Sequence, residues 1–227
     1  MEQTHRSYVA CYFETEQGRC PSAEFVDSLD PDAQRKFFAR RQLLEQLGPR
    51  LPEPHAKRLG HGIYELRFSG READFRMLYF FRWPPGDFHE RIQETDPKDA
   101  PAGSCLGLAK TKYVLSDETE MKPAIRTVEA HLREKLKNPS FRELYELEEE
   151  KTKIVVLILK YRTRRHLTQR QLARQVGVSQ QQISKIEQGD FSSLATIQRV
   201  LLALGHHVVV RAEPLPLRIR RVLRSAA

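Results

Sequence analysis

Residues 167–189 read Leu167-Thr168-Gln169-Arg170-Gln171-Leu172-Ala173-Arg174-Gln175-Val176-Gly177-Val178-Ser179-Gln180-Gln181-Gln182-Ile183-Ser184-Lys185-Ile186-Glu187-Gln188-Gly189. Thr168 with Gln171, and Ser179 with Gln182, have the spacing in which a hydroxyl and an amide each satisfy a backbone N–H at a helix start. Two short helices therefore open at Thr168 and Ser179. Gly177 between them permits a positive-φ turn. Leu172, Val176, Val178, Ile183 and Ile186 face a shared small core, and Ala173 is small where the helices cross. The first turn of the second helix is left exposed, carrying Gln180, Gln181 and Gln182, with Ser184 and Lys185 on the next turn. A glutamine amide pairs bidentately with adenine in the major groove, and a lysine reaches guanine or phosphate. Arg162, Arg164, Arg165, Arg170 and Arg174 supply cations for phosphate contacts, which position a protein without reading sequence. The candidate DNA-binding set is Thr168, Gln169, Arg170, Arg174, Ser179, Gln180, Gln181, Gln182, Ser184 and Lys185.

These residues resemble the Cro/CI (XRE) family of helix-turn-helix domains over about 154–211, with both caps, the turn glycine and Glu187…Gly189 in order. The resemblance implies a double-stranded DNA operator as partner and a homodimer on a two-fold site. The flanks are similar to a narrower group. Ser193 to Gly205 reads as a capped helix ending at glycine, His207-Val208-Val209-Val210 as a strand, and Asn138-Pro139-Ser140-Phe141-Arg142 as a helix start. That order resembles HigA-type antitoxins, over residues 121–227, with Met121 as a candidate independent start.

Working towards the N-terminus, Leu106–Leu115 and Thr127–Lys137 read as short helices. Phe141–Glu146 and Ile154–Tyr161 read as two more, the second apolar on nearly every face. Tyr8–Phe13 is a β-rich run, and Phe25–Leu29 a brief helix. Asp30-Pro31 opens a longer helix carrying Phe37, Phe38, Leu43, Leu44 and Leu47, which Gly48-Pro49 ends. Ile63–Phe68 and Phe75–Phe81 form a strand pair about a Ser69-Gly70-Arg71 turn. The predicted class is α+β: a small N-terminal α+β domain with an antiparallel sheet over residues 1–83, then an all-α helix-turn-helix domain.

The run Lys57-Arg58-Leu59-Gly60-His61-Gly62-Ile63-Tyr64-Glu65-Leu66-Arg67, followed by Phe75-Arg76-Met77-Leu78-Tyr79-Phe80-Phe81, resembles the phage-derived HigB-like branch of the RelE toxin superfamily. The resemblance implies a metal-independent ribonuclease that cuts mRNA on the ribosome, with the adjoining antitoxin as its partner. Lys57, Arg67 and Arg76 are then the candidate phosphate-handling groups, and Tyr64 or Tyr79 a candidate base-stacking ring. The catalytic set is Lys57, Arg67, Arg76 and Tyr79. The plainer reading pairs Arg67 and Arg76 with Glu65 or Asp74 across the hairpin and puts both tyrosines in the core.

Residues 84–120 are irregular: they depart from that family up to about Leu106, after which Leu108-Ala109-Lys110-Thr111-Lys112-Tyr113 resembles it again. Pro84–Ser104 is proline-rich, acidic and unpatterned where the family has a strand and a basic Gly-Phe-x-Lys-Lys-Thr-x-Lys-Thr-Pro motif. One nucleotide forward, the codons straddling Gln93/Glu94, Glu94/Thr95 and Lys98/Asp99 must encode Lys or Arg whatever their third bases. The reading is two compensating frameshifts, near Phe81–Phe88 and Ala102–Leu106, the alternative being a divergent insertion that permits the motif by codon degeneracy; the toxin-like half is then inactive as written, or held by the antitoxin half in cis.

Charge agrees with a polyanion partner at the C-terminal end. The 227-residue chain carries a net charge of +8, yet residues 151–227 alone hold 15 Lys/Arg against three Asp/Glu. No apolar run approaches the ~20 residues of a membrane span, and the N-terminus lacks a signal-peptide core. Cys11, Cys20 and Cys105 have no metal or disulfide spacing. The expectation is a cytoplasmic protein without membrane association, cofactor or metal.

Overall fold

The computed structural model describes residues 8–15, 17–71, 73–82, 105–109, 127–191 and 193–210. The β-rich start forms strand β1 (Val9–Tyr12). Helix α1 (Pro21–Ser28) begins at a proline, four residues ahead of the expected Phe25. Asp30 caps α2 (Pro31–Leu47), its Oδ1 accepting from the N–H groups of Asp32 and Ala33. One face of α2 buries Phe37, Phe38, Leu43, Leu44 and Leu47. Strands β2 (Ala56–Gly60), β3 (Ile63–Ser69), β4 (Asp74–Arg82) and β5 (Cys105–Ala109) complete a five-stranded sheet in the order β1-β5-β4-β3-β2. All neighbours are antiparallel except β1 and β5, which run parallel.

Two of these strands differ from the sequence reading. Lys57-Arg58-Leu59 in β2 has no apolar alternation, because the strand lies at the sheet edge and is held by backbone pairing to β3. The helix expected over Leu106–Leu115 is a strand across Cys105–Ala109. Placed between β1 and β4, this segment pairs with both, and their open edges outweigh local helical preference. The remainder of that stretch, the 84–104 segment with its shifted-frame motif, and Met121 lie outside the described residues.

Helix α3 (Val128–Lys135) follows a cap at Thr127. The helices expected at Phe141–Glu146 and Ile154–Tyr161 are one continuous helix, α4 (Pro139–Arg164), of 26 residues. No glycine or proline follows Pro139 within it, and Lys153 pairs with Glu149 and Glu150 across the charged middle. Helices α5 (Gln169–Val176), α6 (Gln180–Gln188) and α7 (Leu194–Ala203) complete the chain as described. His207–Val210 forms no strand, and Val209 and Val210 are exposed. β-branched composition does not make a strand without an edge to pair with.

Two cores result. The first packs α1, α2 and one sheet face with Val128 and Leu132 of α3 and Phe141, Tyr145, Val155 and Leu159 of α4. Arg41 of α2, buried, joins Glu129 of α3 at 2.7 Å. His131, 1% exposed, is fixed between Tyr12 Oη and Asp27 Oδ1, each at 2.9 Å, and Lys135 also reaches Asp27. The second core gathers Ile158, Leu172, Ala173, Val176, Ile183, Ile186, Ile197, Val200 and Leu201. At its edge Glu187, wholly buried, accepts from Arg162 Nε at 2.6 Å, Arg162 Nη2 at 3.0 Å and Gln169 Nε2 at 2.9 Å.

Removing one partner of a buried ion pair leaves an unpaired charge out of water. Glu187→Ala is therefore expected to cost about 3–5 kcal/mol in urea unfolding, whereas Arg162→Met with Glu187→Leu recovers most of that loss. At Asp27, burial raises the carboxyl pKa, but hydrogen bonds from Lys135 and His131 outweigh it and hold it below the ordinary 3.8. A carboxylate depressed on folding stabilises above its unfolded pKa, and the contribution is lost as pH falls through the folded value. Asp27→Asn should flatten the fall in melting temperature below about pH 4 and leave its shape above pH 6 unchanged.

Candidate nucleic-acid interface

Both predicted capping boxes form. Ser179 Oγ accepts from Gln182 N–H at 3.1 Å, and Gln182 Oε1 accepts from Ser179 N–H at 2.8 Å. Thr168 Oγ1 accepts from Gln171 N–H at 3.2 Å, and Gln171 Oε1 accepts from Thr168 N–H at 2.8 Å. Gly177 adopts φ 75°, and the Ala173 carbonyl receives the N–H groups of both Gly177 and Val178. The first turn of α6 that follows is exposed.

The caps also divide the glutamines. Gln180, Gln181 and Gln182 are all exposed, but the Gln182 oxygen is committed to the cap and a two-point amide pair with adenine needs it. Gln180 and Gln181 keep their amides outside the cap. Lys185 is exposed beside them, and half-buried Ser184 accepts from Gln188 Nε2 at 3.4 Å. Thr168 and Ser179 act through their caps. Gln169 is half-buried, its amide donating to Glu187.

Among the arginines, Arg164, Arg165, Arg170 and Arg174 are exposed. The Arg165 guanidinium lies 4.5 Å from the Tyr161 ring centre. Arg162 corrects the sequence reading. It is buried, bonded to Glu187 and to the Leu167 carbonyl at 3.1 Å, and is not available to phosphate. Glu187 held the signal for this. It follows Ile183 by four residues and Ile186 by one, so it falls on the buried arc of α6 and requires a cation there.

On the sheet, Lys57 stands opposite Glu65, and Arg67 opposite Arg76. Alternation puts these four on the face away from Leu66, Phe68, Met77 and Tyr79, which are core residues. Glu65 is 7% exposed. Its Oε1 accepts from Arg67 Nε at 2.5 Å, and its Oε2 lies 3.9 Å from Arg76 Nη1. The carboxylate offsets two like charges that would otherwise face each other. The structure brings Lys57, Arg67 and Arg76 together but not Tyr79. That ring is 1% exposed and stacks on Tyr64 at 5.3 Å. Burial, then the Tyr64 hydroxyl, pushes the Tyr79 phenol far above its ordinary range. It is a core residue and offers no surface for a base to stack on.

Comparisons with known proteins agree with both ends. Residues 24–83 match a family model described as phage derived protein Gp49-like, and residues 158–207 match a helix-turn-helix model. No curated protein matches the chain, and no solved structure does. The protein thus carries a Gp49-like domain near its N-terminus and a helix-turn-helix domain near its C-terminus. The second match supports DNA binding. Among the described residues, no helix is long and apolar enough to cross a membrane.

A bidentate amide–adenine pair contributes about 1–3 kcal/mol of base discrimination. Gln181→Ala should relax operator preference at one position per half-site while non-specific affinity changes little. Arg174→Ala should weaken all duplexes alike and lower the salt slope by about one. Titrations of operator and scrambled duplexes at several salt concentrations separate these. Proportional losses on both duplexes in both variants would remove the distinction between base reader and phosphate clamp.

Proposed function

We propose that this protein is a fused toxin–antitoxin polypeptide that works as a sequence-specific DNA-binding regulator of its own operon. The observation that carries the reading is the doubly capped helix pair with Gln180, Gln181 and Lys185 exposed at its start. In this reading the C-terminal part is HigA-like and binds a two-fold operator as a homodimer in the cytoplasm. Arg170 and Arg174 hold phosphates, and Gln180 and Gln181 read bases. Thr168, Ser179 and Gln182 set the helix starts, and Gln169 supports Glu187.

The N-terminal part is HigB-like, of the RelE kind, and inactive as written. Lys57, Arg67 and Arg76 share one face, which favours an ancestral mRNA endoribonuclease. Against retained activity stand the buried Tyr79, the Glu65 carboxylate among the cations, and the basic motif found only in the shifted frame. No metal or cofactor enters this chemistry as proposed, since cations alone stabilise a strained phosphate.

The test uses the full chain. A reporter driven by the DNA upstream of its own gene should be repressed, and Gln181→Ala should relieve that repression. Induced expression should not arrest growth. Exchanging residues 93–101 for their shifted-frame reading should restore arrest, and adding Arg67→Ala should abolish it. Arrest by the unaltered chain would favour the alternative, an active mRNA endoribonuclease with its regulator attached in cis but not silencing it.

A further inference from the structure

A cleft of about 570 Å³ opens where α2, the turn before β2, the start of β4, α4 and the end of α6 meet. It is of the size that takes a small-molecule ligand. Lys57 and the exposed start of α6 are outside its lining, whereas Arg67 and Arg76 of the sheet's cationic face line one side of it. We propose that this cleft is a binding site for a phosphorylated small molecule of mononucleotide size.

Its lining is cationic. Arg40, Arg76 and Lys151 face it from three different elements. Arg35 and Lys36 also line it, but both pair with Asp32; Arg67 pairs with Glu65, and Arg76 lies 3.9 Å from the same carboxylate. The carboxylates present are Asp74, Glu148 and Asp190. Only Glu148 is close enough to Arg40 to offset its charge appreciably.

Arg40 is the deepest of these cations. Its Nε is buried with no hydrogen-bond partner, and its Nη2 donates a long 3.3 Å bond to the Gln188 carbonyl. Burial lowers its pKa to about 10, so it remains protonated at neutral pH. A desolvated guanidinium with an unused donor is stabilised by an anion that accepts from it.

A second group gives the same indication independently. His55 lines the cleft, is 1% exposed, and its Nε2 has no hydrogen-bond partner. Burial, then the charges of Arg40 and Arg162, holds it neutral. In the tautomer that carries its proton on Nε2, the neutral ring donates to a phosphate oxygen. Leaving such an atom buried and unmatched is costly. The unpartnered Arg40 Nε, the His55 ring in that tautomer and the Lys151 ammonium, with Arg76 held only at 3.9 Å by Glu65, converge on one cleft and suit an anion with several oxygens and more than one charge. A single carboxylate would satisfy fewer of them.

The experiment is calorimetric titration of the full chain, without DNA, at physiological ionic strength. ADP, sodium pyrophosphate and adenosine serve as probes. ADP and pyrophosphate should bind saturably, one per chain, and adenosine should not. Tighter ADP binding marks a nucleotide as the source of the phosphate, and tighter pyrophosphate binding marks an inorganic one. Arg40→Gln and Lys151→Gln should each weaken binding by about tenfold or more. Lys137→Gln, on an exposed residue paired with Glu134, should leave it unchanged. Lys151 lies at the cleft rim, so its variant reports on the site even if Arg40→Gln disturbs folding, which circular dichroism would show. Absence of saturable binding by both phosphates, wild-type affinity in Lys151→Gln, or adenosine binding as tightly as ADP would overturn the proposal.

Discussion

A single uninterrupted helix sets the geometry of the molecule. Helix α4 places Phe141, Tyr145, Val155 and Leu159 in the first core and Ile158 in the second. Ile158 and Leu159 are adjacent in sequence and both fully buried, so the helix is enclosed on two sides at once. With no glycine or proline to bend it, the position of the sheet fixes the position of the helix-turn-helix. Arg162, one turn beyond Ile158 on that helix, then fixes α6 through Glu187. Two further latches tie α2 to the same unit: Lys160 Nζ donates to Gln46 at 2.7 Å, and Arg40 donates to the Gln188 carbonyl at 3.3 Å.

Electrostatics assigns different roles to the cations along the chain. On the sheet, Arg67 and Arg76 surround a nearly buried glutamate that already answers their charge. Around α5 and α6, Arg164, Arg170, Arg174 and Lys185 are exposed, and the carboxylate nearest them, Glu187, is consumed internally by Arg162 and Gln169. Those four cations are therefore presented outward around the start of α6. The buried pair has a part in this. By removing Glu187 from the surface it takes negative potential away from the approach path of a polyanion.

The most legible parts of the sequence were those governed by local rules. The capping boxes, the Gly177 turn, the Asp30 cap and the hairpin about Gly70 depend on residues three or four apart, and all formed where spacing placed them. What was not legible depended on partners distant in sequence. Strand β5 exists because β1 and β4 both need an edge, although they are separated from each other by more than sixty residues. Arg162 read as one arginine among five until its partner 25 residues later took it inside. Tyr79 and Arg76 are both polar residues on one strand, and only the register with β3 shows which faces the core. At the candidate interface the gain over the sequence was similar in kind. Which glutamine is tied into the cap and which keep their amides outside it depends on one hydrogen bond at Ser179.

The same dependence on distant partners bears on how the two ends of the chain relate. Val128, Leu132, Phe141, Tyr145, Val155 and Leu159 all follow Met121, yet they belong to the core that the sheet and α2 build. Burial of a large apolar side chain contributes about 1.5–3 kcal/mol, and six of them exceed the margin by which most small domains are stable. An N-terminal piece ending near residue 120 would expose the α2 face that α4 covers, and a C-terminal piece beginning at Met121 would expose the matching side of α4. Buried Arg41 would lose Glu129 and keep only Glu45, and His131 would lose both Tyr12 and Asp27. A regulator that completes the core of its partner in this way is connected by packing as well as by the peptide chain. Loss of the N-terminal half would then be felt at α4 first, and through α4 at α6.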